Sequence, residues 1–171
     1  MKIAIIGFSG SGKSTLAKQL SKFYKIPTLH LDTVFFKEGW NMRDEDETLE
    51  RVSSFMKHKN WIIKGNYTGL LQEQRRNDAD WIVFLNFNRF TCLYRALKRY
   101  LHYRGTTRGD VAEGCEEKID LEFIGWLLYA GRNKAHKNQY QKIIETHKKK
   151  IEVCKNQKQL DTYINKLYNN T

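Results

Sequence analysis

Proline is nearly absent from this chain, at one residue in 171. No proline- or glycine-rich linker divides the sequence, and it contains no internal repeat or low-complexity tract. A single domain over residues 1–171 is therefore expected, long enough to enclose a sizeable core. Long hydrophobic runs are missing too, so no membrane-spanning helix is expected. Cysteine is scarce: Cys92, Cys115 and Cys154 are odd in number, far apart and without metal-ligand spacing. That excludes a disulfide framework and a cysteine zinc site, and the three read as reduced thiols of a cytoplasmic protein. The first strand is entered at once, over residues 1–6, so no signal peptide is expected. Acids are missing from residues 81–109, where Arg89, Arg95, Lys98, Arg99, Arg104 and Arg108 all lie.

The net charge is +11. A surplus of that size suits polyanionic ligands: nucleotides, phosphorylated metabolites or nucleic acid. Charge alone does not choose among them. The acids gather elsewhere, as in Asp44, Glu45, Asp46 and Glu47, a pattern that fits the first turn of a helix.

The most informative stretch runs from Gly7 to Thr15 and reads GFSGSGKST. It fits the phosphate-binding pattern G-x-x-x-x-G-K-[ST]. An apolar run at 1–6 precedes it, and Leu16, Leu20 and Phe23 follow at helical spacing. A strand, a glycine turn and a helix start bare backbone N–H groups toward an anion. Gly7, Ser9, Gly10, Ser11, Gly12, Lys13, Ser14 and Thr15 are the candidate nucleotide-binding residues. Lys13 reaches the phosphates, and the Ser14 hydroxyl suits Mg²⁺. A guanine preference finds no support: no D-x-x-G occurs, and Asn133-Lys134-Ala135-His136 lacks the aspartate of N-K-x-D. ATP is the expected donor.

Further strands are expected at 27–31, 61–63, 81–85 and 150–154. Helices are expected at about 44–58, 69–76, 89–103, 119–130 and 157–168, with Asn88 as a cap and a polar loop over 104–117. Alternation of this kind predicts an α/β fold, a five-stranded parallel sheet with helices on both faces. Ligands then bind at the carboxyl ends of the strands. Trp61, Trp81, Trp126 and Tyr129 are expected in the core, and His147 to Lys150 at a solvated helix end.

The arrangement resembles the adenylate-kinase-like and shikimate-kinase-like branch of small phosphotransferases. More closely, it is similar to bacterial proteins labelled DNA topology modulation proteins. The segments that carry this likeness are His30-Leu31-Asp32, Gly39-Trp40, Gly65-Asn66-Tyr67, Phe87-Asn88-Arg89-Phe90 and Ala112-Glu113-Gly114-Cys115. The likeness implies a kinase-like three-layer sandwich with a lid excursion at about 104–117. It implies that Asp32 helps hold Mg²⁺ or orients an acceptor hydroxyl. It implies that Arg95, Arg99, Arg104 and Arg108 close over the transferring group, with Arg132 a further candidate. Asn156 falls where such enzymes cradle adenine. The acceptor site is expected among Asp32, Gly65, Asn66, Arg75 and Arg132. Lys64 departs from the pattern, because related kinases often carry an aspartate there.

The expected function is ATP- and Mg²⁺-dependent phosphoryl transfer to a nucleotide or another small hydroxyl- or phosphate-bearing acceptor. Two rivals remain. One is an ATP-switched DNA-binding regulator, favoured by the charge and the family label, although no helix-turn-helix, zinc finger or RNA-recognition signature is visible. Generic basic charge gives only weak, salt-sensitive nucleic-acid binding. The other is a degenerate kinase that binds ATP without efficient transfer, motivated by Lys64.

Overall fold

The computed structural model describes residues 1–106 and 109–169. Its strands are β1 (Lys2–Gly7), β2 (Thr28–His30), β3 (Trp61–Lys64), β4 (Trp81–Leu85) and β5 (Ile151–Cys154). They form one sheet in the order β2-β3-β1-β4-β5, with every pairing parallel. The helices are α1 (Lys13–Tyr24), α2 (Leu31–Phe35), α3 (Glu45–Met56), α4 (Gln72–Asp78), α5 (Arg89–Tyr103), α6 (Leu121–Leu128), α7 (Lys134–Thr146) and α8 (Gln157–Asn169).

The central strands are apolar throughout because both of their faces are covered. Ile3, Ile5, Ile62, Ile63, Ile82, Phe84 and Leu85 are all essentially inaccessible. Aromatic contacts identify the two outer layers. Tyr24 of α1 meets Trp81 at 6.3 Å between ring centroids, while Tyr140 of α7 stacks on Phe84 at 4.4 Å. Residues three apart in a strand point to opposite faces, so α1 and α7 cover opposite sides of the sheet. Phe23 and Tyr168, 4.0 Å apart, place α8 on the α1 side. No helix among the described residues is long and apolar enough to cross a membrane.

The helix starts follow local chemistry. The Asp44 side chain accepts from the Asp46 and Glu47 amides and caps α3, with three carboxylates in its first turn as expected. Asn88 caps α5 by accepting from Thr91 N. Elsewhere the boundaries differ. Leu31, expected to end a strand, opens α2, so Asp32 sits in a helical first turn. α4 begins at Gln72, not near 69. α6 is shorter than expected, since Asp120 caps it and the chain tightens into a 3₁₀ turn at Ala130–Arg132. Of α7 only the end was anticipated: it closes at Thr146 with His147 as its C-cap, where a solvated helix end is expected, but its body from Lys134 was not. Trp61 is fully buried as expected, but Trp126 and Tyr129 are 42% and 68% exposed and lie outside the core.

The segment expected as a lid is docked where the structure describes it. Trp40 N donates to Cys115 Sγ at 3.3 Å, and Trp40 Nε1 donates to Glu116 O at 2.9 Å. Cys115 Sγ donates in turn to Lys37 O at 3.2 Å. Val111 and Cys115 are buried, and all three thiols are free. Residues 109–117 therefore lean on the 37–40 turn.

Candidate active site

The glycine turn between β1 and α1 is shaped by close backbone approaches. A Cβ on Gly7 would lie 2.6 Å from Leu85 O, and one on Gly10 would lie 2.3 Å from Cys92 O. Both residues also have positive φ, at 146° and 73°. Only glycine satisfies both demands at these positions. The turn is thereby pressed onto β4 and the first turn of α5. Gly12 is the N-cap of α1 in a left-handed conformation, and no side chain caps the helix. The first-turn amides of a helix have no intrahelical acceptor, so those of α1 are left to a ligand. An anion there also meets the positive end of the helix dipole.

Lys13 folds back over the turn. Its Nζ donates to Gly7 O and Phe8 O, each at 2.9 Å. Burial and the nearby Lys64 ammonium push its pKa down to about 8, with Asp32 opposing. A triphosphate at the α1 N-terminus would supply the missing anion and return Lys13 to its charged form. Binding near pH 8.5 is therefore expected to draw a fraction of a proton from solution. Calorimetry in buffers of different ionisation enthalpy measures that uptake, which Lys13→Ala should abolish.

Behind Lys13 lies an ion-pair cluster. The Lys64 side chain is 4% exposed and its Nζ donates to Asp32 Oδ2, with Asp110 Oδ2 at 3.8 Å. Tyr67 OH donates to the other Asp32 oxygen, Oδ1, at 2.6 Å. Burial raises the Asp32 pKa, but the charge and hydrogen bond of Lys64 and the bond from Tyr67 outweigh it and hold the carboxyl below its usual range. Burial and the Asp32 carboxylate push the Tyr67 hydroxyl far up, so it stays a neutral donor.

This bears directly on Mg²⁺. Ser14 lines the cavity at the head of α1, where a hydroxyl suits the metal. Asp32, expected to support the ion, has both oxygens engaged by Lys64 and Tyr67. Among the described residues no group of three or more His, Cys, Asp or Glu side chains could hold a metal. The donor set fits an ion held by Ser14, phosphate oxygens and water, with Asp32 in the same cavity and a lone pair left on each oxygen to accept from a metal-bound water.

Two expected arginines stand beside the turn on α5. Arg95 donates to Ser11 O at 3.0 Å and to Gln157 Oε1 at 2.7 Å, and lies over the Phe87 ring. Arg99 is clamped by Glu117, with Nε at 2.6 Å and NH2 at 2.5 Å from Oε1. Arg104 is the exposed C-cap of α5 and does not line the cavity. Arg108 lies outside the described residues.

Three further expectations are corrected by side-chain direction. Arg75 is 2% exposed and does not line the cavity, donating instead to the carbonyls of Leu70, Gly65 and Tyr67. It holds the backbone after β3 in place. Arg132 is buried as well, donating to Leu127 O and Cys92 Sγ with its guanidinium 3.7 Å over the Phe8 ring. Asn156 caps α8 by accepting from Gln159 N at 2.9 Å, and the cavity is lined instead by Gln157 and Leu160. Asn66 does line the cavity, but its amide is locked on Gly7, accepting from N at 3.0 Å and donating to O at 2.7 Å. Gly65, with φ of 136°, lets β3 pass Leu31, whose side chain a Cβ would meet at 2.9 Å.

The glycine turn, Asp32, Lys64, Asn66, Arg95 and Arg99 line one cavity of about 1280 Å³. Trp40, Tyr67, Phe123, Trp126, His136 and Gln139 line the same cavity. The aromatic part of this lining is not legible in the sequence: Trp40 and Tyr67 carry only a family likeness there, and Trp126 is expected in the core.

No family model matches the chain, and no curated protein does. Among solved structures it is similar to a deoxyadenosine kinase from M. mycoides, described with the products dCMP and a flexible dCDP bound. The TM-score is 0.51 at 17% identity, over 99% of this chain and 100% of that one. The fold is that of a P-loop kinase. This comparison speaks to the kinase fold and not to the topology-modulation likeness.

Proposed function

We propose that this chain is a phosphotransferase that holds a nucleoside triphosphate and a small hydroxyl-bearing acceptor in one cavity. The observation that carries the reading is the cavity itself. At about 1280 Å³ it exceeds the roughly 300–1,000 Å³ of a pocket for one small molecule. Its lining offers an uncapped helix N-terminus and Lys13 for phosphates, together with aromatic rings and amides for a planar partner. Phosphoryl transfer requires mostly this: two reactants held in line, with fixed charge around the moving group.

In this reading the α1 amides and Lys13 hold the donor phosphates. Ser14 would bind Mg²⁺, which neutralises phosphate charge when present. Arg95 sits beside the turn, and Arg99 swings from Glu117 to the transferring phosphoryl group. The acceptor lies between Asp32 and the aromatic wall. Arg75 and Arg132 spend their donors on backbone carbonyls and the Cys92 thiol, so neither of these two guanidinium groups is turned toward an acceptor phosphate. A planar, neutral, hydroxylated acceptor of the nucleoside class fits the lining better than a nucleotide. The deoxyadenosine kinase likeness agrees with this choice, and ATP remains the proposed donor.

Arg99 separates transfer from nucleic-acid binding. Arg99→Lys keeps a cation for Glu117 but loses the planar fork. It should lower kcat roughly tenfold while ATP affinity stays nearly unchanged, because the contact forms in the transition state. Steady-state kinetics with parallel ATP titration read this split. Intact turnover, with duplex DNA affinity lost uniformly across sequences, would favour the regulator instead.

A further inference from the structure

The face of α5 that points away from the sheet is apolar. Its buried positions are Cys92 and Ala96, and Arg95 and Arg99 turn toward the cavity. On the far side Phe90, Tyr94, Leu97 and Leu101 are 73%, 66%, 40% and 74% exposed. At 100° per residue these positions fall within an arc of roughly 60°. A surface helix ordinarily shows the reverse, with its polar side toward water. Tyr129 is 68% exposed and extends the patch at the helix start, where the Arg89 guanidinium lies 5.6 Å from its ring centroid.

We propose that this stripe is the interface of a symmetric homodimer in which α5 packs antiparallel against α5 of a second copy. The 4-3-4 spacing is that of a helix-pair seam. It also reads the same in both directions. A two-fold axis through the middle of the stripe brings Phe90 level with Leu101, and Tyr94 level with Leu97. The surface is thus complementary to itself and the assembly closes at two copies.

Area and charge agree. At ~200 Å² per large side chain, the four residues expose about 500 Å², near the upper end for a patch on a monomer. Tyr129 and the stems of Lys98 and Arg104 bring the total toward the ~800 Å² per partner of a stable interface. α5 carries no acid, so register matters. In the antiparallel pair each Lys98 lies level with a Leu93, and the two Lys98 positions are staggered by about 7.5 Å along the seam. A parallel pair would set Lys98 against Lys98.

Sedimentation at tens of micromolar protein tests this. The wild-type chain should run at twice its 20.3 kDa mass. Tyr94→Glu combined with Leu97→Glu should run at the single-chain mass with an unchanged far-ultraviolet circular dichroism spectrum, since both side chains face water in one copy, and its melting temperature should no longer depend on protein concentration. A second measurement fixes the register: on oxidation, Phe90→Cys with Leu101→Cys should give a covalent dimer, and Phe90→Cys alone should not. A wild-type chain at single-chain mass overturns the proposal, and if it then binds anionic vesicles the stripe belongs to a membrane surface. A dimer that survives the double glutamate variant, or cross-links through Phe90→Cys alone, overturns it equally.

Discussion

Asp32→Asn is expected to destabilise the protein by about 3 kcal/mol, because it strips a nearly buried ammonium of its main partner. The Lys64 side chain is 4% exposed, and of its two ion-pair partners the change leaves Asp110, 3.8 Å away, with a full charge. The low end of the buried-pair range applies, since Asp32 is 29% exposed. Lys64→Met should cost less, because Tyr67 still donates to Asp32 and water reaches the carboxylate. The double variant should be more stable than the two single losses sum to, with a coupling of roughly 1–2 kcal/mol. Denaturant melts of the four proteins measure the cycle. Additive losses would mean that the pair is not coupled.

The same pair fixes a pH dependence. The Asp32 carboxyl titrates below its ordinary value of 3.8 in the folded protein. Its stabilisation is therefore complete above that value and fades as pH falls through the depressed folded value. Below pH ~4 the wild type should lose stability more steeply than Asp32→Asn. Equal acid limbs would contradict the assignment.

Lys13→Ala is expected to weaken ATP binding by roughly 10- to 100-fold, the worth of a charge-assisted contact to phosphate. Transfer should fall by about 10²–10³ more, because the lysine also faces charge that builds on the moving group. The fold should survive. The bonds of Lys13 go to Gly7 O and Phe8 O within its own turn, so no distant element depends on them. Calorimetry on the folded variant checks the binding loss, and unchanged affinity would contradict the phosphate-site assignment.

The elements that were legible in the sequence are those whose signal is local. β1, β3 and β4 are dense apolar runs, and the Gly7–Ser14 turn has its own spacing. Only the end of α7 was legible, because its burial rests chiefly on Ile143 and the half-buried Tyr140, while lysine, glutamine and histidine fill its other faces. Its start signal was present: Asn133 accepts from His136 N, yet that asparagine had been weighed only as part of a guanine-reading motif. Leu31 was read into a strand because periodicity does not locate the turn of the chain into α2.

The site was legible as a set of residue types, not as directions. Arg75, Arg132 and Asn156 have the chemistry to bind anions or amides, but backbone carbonyls and helix ends claim them. The pairings that decide the electrostatics join residues far apart in sequence, Lys64 with Asp32 and Arg99 with Glu117. Lys64 stood out as an anomaly in a metal site. The structure turns it into the partner of the carboxylate that was expected to hold the metal.

The most direct test is ADP release from ATP over a panel of nucleosides, nucleotides and other hydroxylated small molecules, with and without duplex DNA. The account predicts that a neutral, planar, hydroxylated acceptor stimulates ADP release, with phosphorylated acceptor formed in equal amount. ADP release that no small acceptor changes, but that DNA stimulates, would contradict it.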